Sequence, residues 1–106
     1  MQDVTKSTWD STVKSQPLVL ADFYTPSCGP CRQMLPILSE VSANLDGKTV
    51  LVKVNCADEE NIPIAVDLGV NRVPTFVLFK NGVEVARQSG LVAAGELTTW
   101  VESYAN

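Results

Sequence analysis

The sequence predicts an α/β domain built on a mixed sheet, and three observations carry that reading. Near-continuous apolar runs at Leu18–Tyr24 (LVLADFY) and Val50–Cys56 (VLVKVNC) have the pattern of strands buried on both faces of a parallel sheet. Between them, from Cys31 to Leu45, apolar residues recur at Met34, Leu35, Ile37, Leu38, Val41 and Leu45, a helical spacing that makes a βαβ unit. Later, Asn81-Gly82 stands between TFVLFK and VEVARQS, a strong hairpin signal because a type I′ turn needs positive φ at both central residues. A hairpin joined to a βαβ unit gives parallel and antiparallel strands in one sheet, with helices on both faces.

Taken in order, Ser7 to Val13 is expected to form a short helix, since Ser7 with Asp10 three residues on resembles a capping box. The strand over Leu18–Tyr24 and the helix after it follow, with Asp46-Gly47 ending the helix and Gly47 a candidate left-handed cap. Pro36 inside that helix removes one backbone hydrogen bond and kinks the axis, a structural role. After the strand over Val50–Cys56, a second helix is expected from Asn61 to Leu68, with Pro63 in its first turn and Gly69 closing it. The hairpin strands are Thr75–Lys80 and Val83–Ser89. Leu97, Trp100, Val101 and Tyr104 then follow i, i+3, i+4, i+7 and give a closing amphipathic helix. Trp9 and Trp100 read as packing residues, and Phe23, Phe76 and Phe79 as core. No repeat, linker or low-complexity tract interrupts the chain, so 1–106 reads as one domain, able to bury roughly two-thirds of its unfolded surface without covalent staples.

Charge and cysteine usage exclude several functions. Eight Lys and Arg against twelve Asp and Glu leave a net charge of -4, without the basic excess that tracks a phosphate backbone, so nucleic acid is not an expected partner. No stretch approaches the roughly 20 apolar residues of a membrane span, and Met1-Gln2-Asp3 lacks the start of a secretory signal. The expectation is a soluble, cytoplasmic, monomeric protein. Three cysteines are an odd number, which argues against a disulfide framework. With no histidine in the chain and Cys56 standing alone, a four-ligand zinc site lacks its donors, and no imidazole is there to activate a nucleophile.

The chemistry sits in TPSCGPCR, Thr25 to Arg32, where the first buried strand meets its helix, and open α/β sheets form sites beyond the carboxyl ends of their strands. If Cys28 is the N-cap, Gly29 is N1, Pro30 is N2 and has no N–H to waste, and the Cys31 N–H is the donor that the Cys28 sulfur can accept. The helix macrodipole favours a thiolate there, so the Cys28 pKa is expected to fall below that of free cysteine. Residues three apart on a helical turn have Cβ atoms about 5–6 Å apart, close enough for a disulfide. Cys28 can attack and Cys31 can resolve. As a mere staple the pair would do little, because its loop is too small. Arg32 adds a small, solvated positive charge.

These features, with ADFY before the site, CGPC, Pro36, VKVN, RVPTF, FKNG and Gly90 after the last strand, resemble the thioredoxin family over nearly the whole chain. The resemblance implies a thioredoxin fold, a central mixed β-sheet flanked by four helices. It implies a thiol–disulfide oxidoreductase that reduces disulfides in target proteins, carries electrons from a thioredoxin reductase, and needs no bound cofactor beyond a redox-active Cys28–Cys31 disulfide.

Asp22 and Lys53 are each the only charge in an apolar strand run. Their opposite signs would offset part of the burial cost if the strands are neighbours, so a structural ion pair is one reading. Burial would raise the Asp22 pKa and Lys53 would lower it. The resemblance implies a second reading, in which Asp22 beneath the dithiol exchanges a proton with Cys31 and Lys53 tunes it. An ordinary strand-start Val73-Pro74 would be trans. The family instead has this proline cis and facing the dithiol, with the backbone of Val73 pairing with substrate and Gly29, Pro30 and Gly90 completing a shallow surface. Cys56 reads as a small buried hydrophobe. Ser27 and Tyr24 depart from the family, where tryptophan is usual before CGPC and common at the Tyr24 position. The missing indole at Ser27 removes an apolar contact beside the nucleophile and bears on partner choice. A binding module that uses the same surface without turnover is the competing function; Cys28, Cys31, Asp22 and Pro74 together favour the reductase.

Overall fold

The computed structural model describes residues 1–105. Its strands are β1 (Gln2–Val4), β2 (Leu18–Tyr24), β3 (Val50–Asn55), β4 (Thr75–Lys80) and β5 (Val83–Ser89). Its α-helices are α1 (Lys6–Val13), α2 (Gly29–Asn44), α3 (Ile62–Leu68) and α4 (Ala94–Glu102), with one 3-10 turn over Glu59–Asn61 before α3. The strands form one sheet in the order β1-β3-β2-β4-β5. β3 pairs parallel with β1 and β2, whereas β4 pairs antiparallel with β2 and β5. The thioredoxin fold expected from the sequence, a mixed sheet with four helices, is the fold observed.

Alternation along β2 explains its continuous apolar run. Val19, Ala21 and Phe23 pack into a cluster with Trp9, Val13, Val52, Val54, Ile64, Val77 and Phe79. Leu18 and Leu20 pack into a second cluster with Met34, Leu38, Val41, Leu51, Phe76, Leu78, Leu97 and Val101. Successive strand residues point to opposite faces, so the first cluster lies under α1 and α3 and the second under α2 and α4. Both faces of the sheet are covered, and β2 must be apolar on each. Trp9 meets Phe23 and Phe79 edge to face, with ring centroids 5.9 and 5.4 Å apart, as a core aromatic does.

Several details differ from the sequence reading. α1 begins after Thr5, and the Thr8 hydroxyl accepts the Thr5 backbone N–H at 3.1 Å; Ser7 and Asp10 lie inside the helix and do not start it. α2 ends at a Leu45 cap, so Gly47, although at φ 77°, stands beyond the helix end. Leu35 is exposed, because α2 turns Cys31, Met34, Leu38 and Val41 inward. β3 stops at Asn55, leaving Cys56 just outside it, and Tyr104 lies past the end of α4. The Asn81-Gly82 turn holds, with φ of 53° and 83°. β1 was not foreseen: three residues are too few to show a period.

Asn61, buried at 1% exposure, joins separate parts of this frame. Its Oδ1 accepts the Lys6 N–H at 3.0 Å, and its Nδ2 donates to the Asn55 carbonyl at 3.1 Å. The start of α1, the end of β3 and the start of α3 thus share one side chain. Asn61→Ala leaves those backbone groups without their partner and is expected to destabilise the fold by roughly 1–3 kcal/mol. Urea unfolding of wild type and variant measures it; a change under about 0.5 kcal/mol would mean that water replaces the amide at little cost.

Candidate active site

The site lies at one end of the sheet because strand directions bring its parts there. β2 runs into the Cys28 loop, and β3, parallel to it, ends at Asn55 beside Tyr24. β4 is antiparallel to β2, so it starts at this same end, with Thr75 opposite Phe23. Val73 and Pro74 immediately precede it, joined by a cis peptide bond. Gly90, at φ 92°, follows β5 and donates its N–H to the Pro74 carbonyl at 3.0 Å. A side chain at that φ would be strained.

Cys28 is the N-cap of α2 in extended backbone, followed by Gly29 and Pro30, and its Sγ accepts the Cys31 N–H at 3.1 Å. The two cysteines are joined as a disulfide with their Cα atoms 5.2 Å apart. Cys31 is 3% exposed, whereas Cys28 is half-buried and the flanking Ser27 and Pro30 are exposed. The loop is held by the Cys28 N–H to the Thr25 carbonyl at 3.2 Å and by Arg32, whose Nη1 donates to the Pro26 carbonyl at 3.2 Å. Arg32 therefore braces the loop besides carrying charge. The Ser27 hydroxyl makes no hydrogen bond with the described residues, so it does not cap the helix, whose cap is Cys28.

A groove of about 270 Å³ opens beside the dithiol, lined by Tyr24, Thr25, Pro26, Cys31, Arg32, Leu35 and Lys53. Asp22 and Lys53 are register partners on β2 and β3, as the neighbouring-strand reading requires. The expected ion pair does not close. Neither Asp22 oxygen has a hydrogen-bond partner among the described residues, and the Lys53 ammonium lies 4.4 Å from the centroid of the Tyr24 ring. Asp22 is only 2% exposed. Burial pushes its pKa up from 3.8 to about 7, more than the Lys53 charge pulls it down, with Asp3 adding to the rise. Cys56, half-buried against the α1/α3 cluster, has its thiol pushed up by burial and by the Asp22 charge, as suits a packing residue.

The sequence profile of the Thioredoxin family matches residues 1–103. The chain belongs to the thioredoxin family. Thioredoxin of Rickettsia felis is 37% identical over 100 residues, covering 93% of each chain. The chloroplastic thioredoxin Y of Oryza sativa is 42% identical over 90 residues, covering 85% of this chain and 52% of that protein. Among solved structures, a mutant thioredoxin from Halobacterium salinarum superposes with a TM-score of 0.87 at 30% identity, covering 100% of this chain and 90% of the other. This thioredoxin-family member is a protein disulfide oxidoreductase, and Cys28–Cys31 is its redox-active disulfide.

The raised Asp22 pKa has a stability consequence. As pH rises from about 4 to about 7 the unfolded chain releases this proton while the folded chain keeps it, so the unfolded state is favoured across that window and stability falls. Below it the burden is absent; above it the burden is complete. Asp22→Asn removes the titration and should raise stability at pH 8 by on the order of 2–4 kcal/mol, with little change at pH 4. Urea unfolding of the oxidised protein at both pH values decides it; a gain that does not depend on pH would contradict the assignment.

Proposed function

We propose that the protein is a disulfide reductase and electron carrier in which Cys28 attacks and Cys31 resolves. The Cys28 thiolate attacks one sulfur of a target disulfide, forming a mixed disulfide and releasing the target's other sulfur as a thiolate. Cys31 loses its proton to Asp22, directly or through water, and attacks the Cys28 sulfur. The second target thiolate leaves, and Cys28–Cys31 is oxidised as the target gains two electrons. A thioredoxin reductase returns two electrons to restore the dithiol.

The observation that carries this reading is the asymmetry of the pair. Cys28 is the more accessible sulfur and receives a backbone N–H at a helix N-terminus, while Cys31 is buried. A helix end and its first free N–H groups stabilise a thiolate. Supporting the role of Asp22 is its place on the sheet face that α2 covers, with a proton affinity suited to exchange near neutral pH, and the groove that Cys31 and Lys53 share. Lys53 then tunes the acid.

Gly29, Pro30, Val73, Pro74 and Gly90 form the target surface in this reading, low in side chains and gathered at one sheet end, with the Val73 backbone pairing with an extended target segment. Ser27 and Tyr24 set partner preference by what they omit beside the nucleophile. The whole chain acts as one monomeric domain in the cytoplasm, on proteins rather than nucleic acid or membrane. No helix among the described residues is long and apolar enough to cross a membrane.

Insulin reduction with dithiothreitol as recharging thiol tests the activity, and limiting iodoacetamide on the reduced protein tests the roles. Cys28 should be alkylated first, Cys28→Ser should reduce turnover to background, and Cys31→Ser should accumulate mixed disulfides on Cys28. Preferential labelling of Cys31 or Cys56, or insulin reduction that survives Cys28→Ser, would overturn the assignment.

A further inference from the structure

The registers of the three strands at the β1 edge place Asp3 opposite Lys53 and Lys53 opposite Asp22. Register partners on adjacent strands share a face of the sheet, so the row reads carboxylate, ammonium, carboxylate. The outer carboxylate is exposed and the inner one buried. Lys53 therefore has two acids to choose between. Coulomb attraction is stronger in the drier interior, and a flexible lysine stem reaches either side; left to itself the ammonium would be drawn toward Asp22.

The structure holds it elsewhere. The Tyr24 hydroxyl donates to Asp3 Oδ1 at 2.8 Å, and the Lys53 ammonium lies over the Tyr24 ring, where the ring face attracts a cation. Asp3 fixes the ring, the ring holds the ammonium, and Asp22 is left with no hydrogen-bond partner among the described residues. We propose that Asp3 and Tyr24 are positioning residues for the proton-transfer step, their hydrogen bond keeping Lys53 on the ring and away from Asp22, so that the buried carboxyl can take up and return a proton. The proposal rests on the reading that Asp22 exchanges a proton with Cys31.

Other groups face Asp22 without offering the same control. From β4 its register partner is Phe76, which is apolar. From α2, Cys31 and Arg32 line the groove that Lys53 also lines. Past the end of β3 stands Cys56, whose thiol is affected by the Asp22 charge. Asp3 itself is exposed, and its charge gives Asp22 only the smallest of its three pushes, as solvent screening leads one to expect. The tether is the larger part of what Asp3 brings to the site.

Carbon NMR titration of the Asp22 carboxyl in the oxidised protein, identified by its loss in Asp22→Asn, reads this without relying on turnover. Asp3→Ala and Tyr24→Phe both break the tether and should lower the Asp22 midpoint by about half a unit or more, as a nearer cation does. Asp3→Asn keeps an acceptor for the Tyr24 hydroxyl and should stay much closer to wild type. Unmoved midpoints in both tether variants would overturn the proposal, whatever Asp22 does in the reaction. Equal lowering in Asp3→Asn and Asp3→Ala would also overturn it, since charge alone would then suffice. In the same variants the acid limb of the rate of mixed-disulfide resolution should move down with the carboxyl. A carboxyl that moves without that limb would instead overturn the proton-exchange reading, and the proposed catalytic role would fall with it.

Discussion

Parallel pairing of β2 with β3 is the constraint from which the site follows. Two parallel neighbours cannot be joined by a tight turn, so the chain must leave the carboxyl end of β2, cross the sheet and return. The crossing is α2, and its N-terminus is bound to lie where β2 ends. That puts unpaired N–H groups and the positive end of a helix directly after Tyr24, where the sequence supplies Cys28, Gly29, Pro30 and Cys31. The same pairing sets Lys53 beside Asp22. The antiparallel return of β4 then brings Val73 and Pro74 to the same end.

What the sequence could convey followed from pattern length. β2, β4 and β5 were legible to the residue because alternation or a continuous apolar run extends over six or seven positions, and Asn81-Gly82 dictates its own turn. The N-cap geometry of Cys28 was legible because proline at the second helical position leaves one useful donor. β1 was not, since Gln2–Val4 carries its meaning only through register with β3. Asn61 was also invisible: an asparagine before a helix suggests a cap, yet its side chain spans to Lys6 and Asn55 instead. The Asp22–Lys53 relation was half legible. Opposite charges in neighbouring apolar strands were plain, but the lysine lies over the Tyr24 ring, which is bonded to Asp3, and no local pattern links residues 3, 24 and 53.

In the proposed mechanism, Asp22 is where stability and chemistry part. A leucine at that position would continue the series of Leu18 and Leu20 and remove the cost of a buried carboxyl that has no hydrogen-bond partner among the described residues. Burial raises the proton affinity of this acid into the neutral range, which is the property a proton acceptor for a buried thiol needs. A closed ion pair with Lys53 would have relieved the burial and removed that property. The arrangement observed, with the ammonium on an aromatic ring, leaves the carboxyl without that pairing at a cost in stability, as the proposed role in proton transfer requires.

The central claim is that Asp22 accepts the Cys31 proton as the mixed disulfide resolves. Reduced protein mixed with a chromogenic aromatic disulfide in a stopped-flow instrument releases one thiolate on attack by Cys28 and a second on resolution by Cys31. The first-order rate of the second release, followed from pH 5 to pH 9, should rise with a midpoint near the Asp22 value of about 7, and Asp22→Asn should be slower and lack that inflection. A variant whose second-phase profile superimposes on wild type across this range would contradict the account and leave Asp22 without a part in the chemistry.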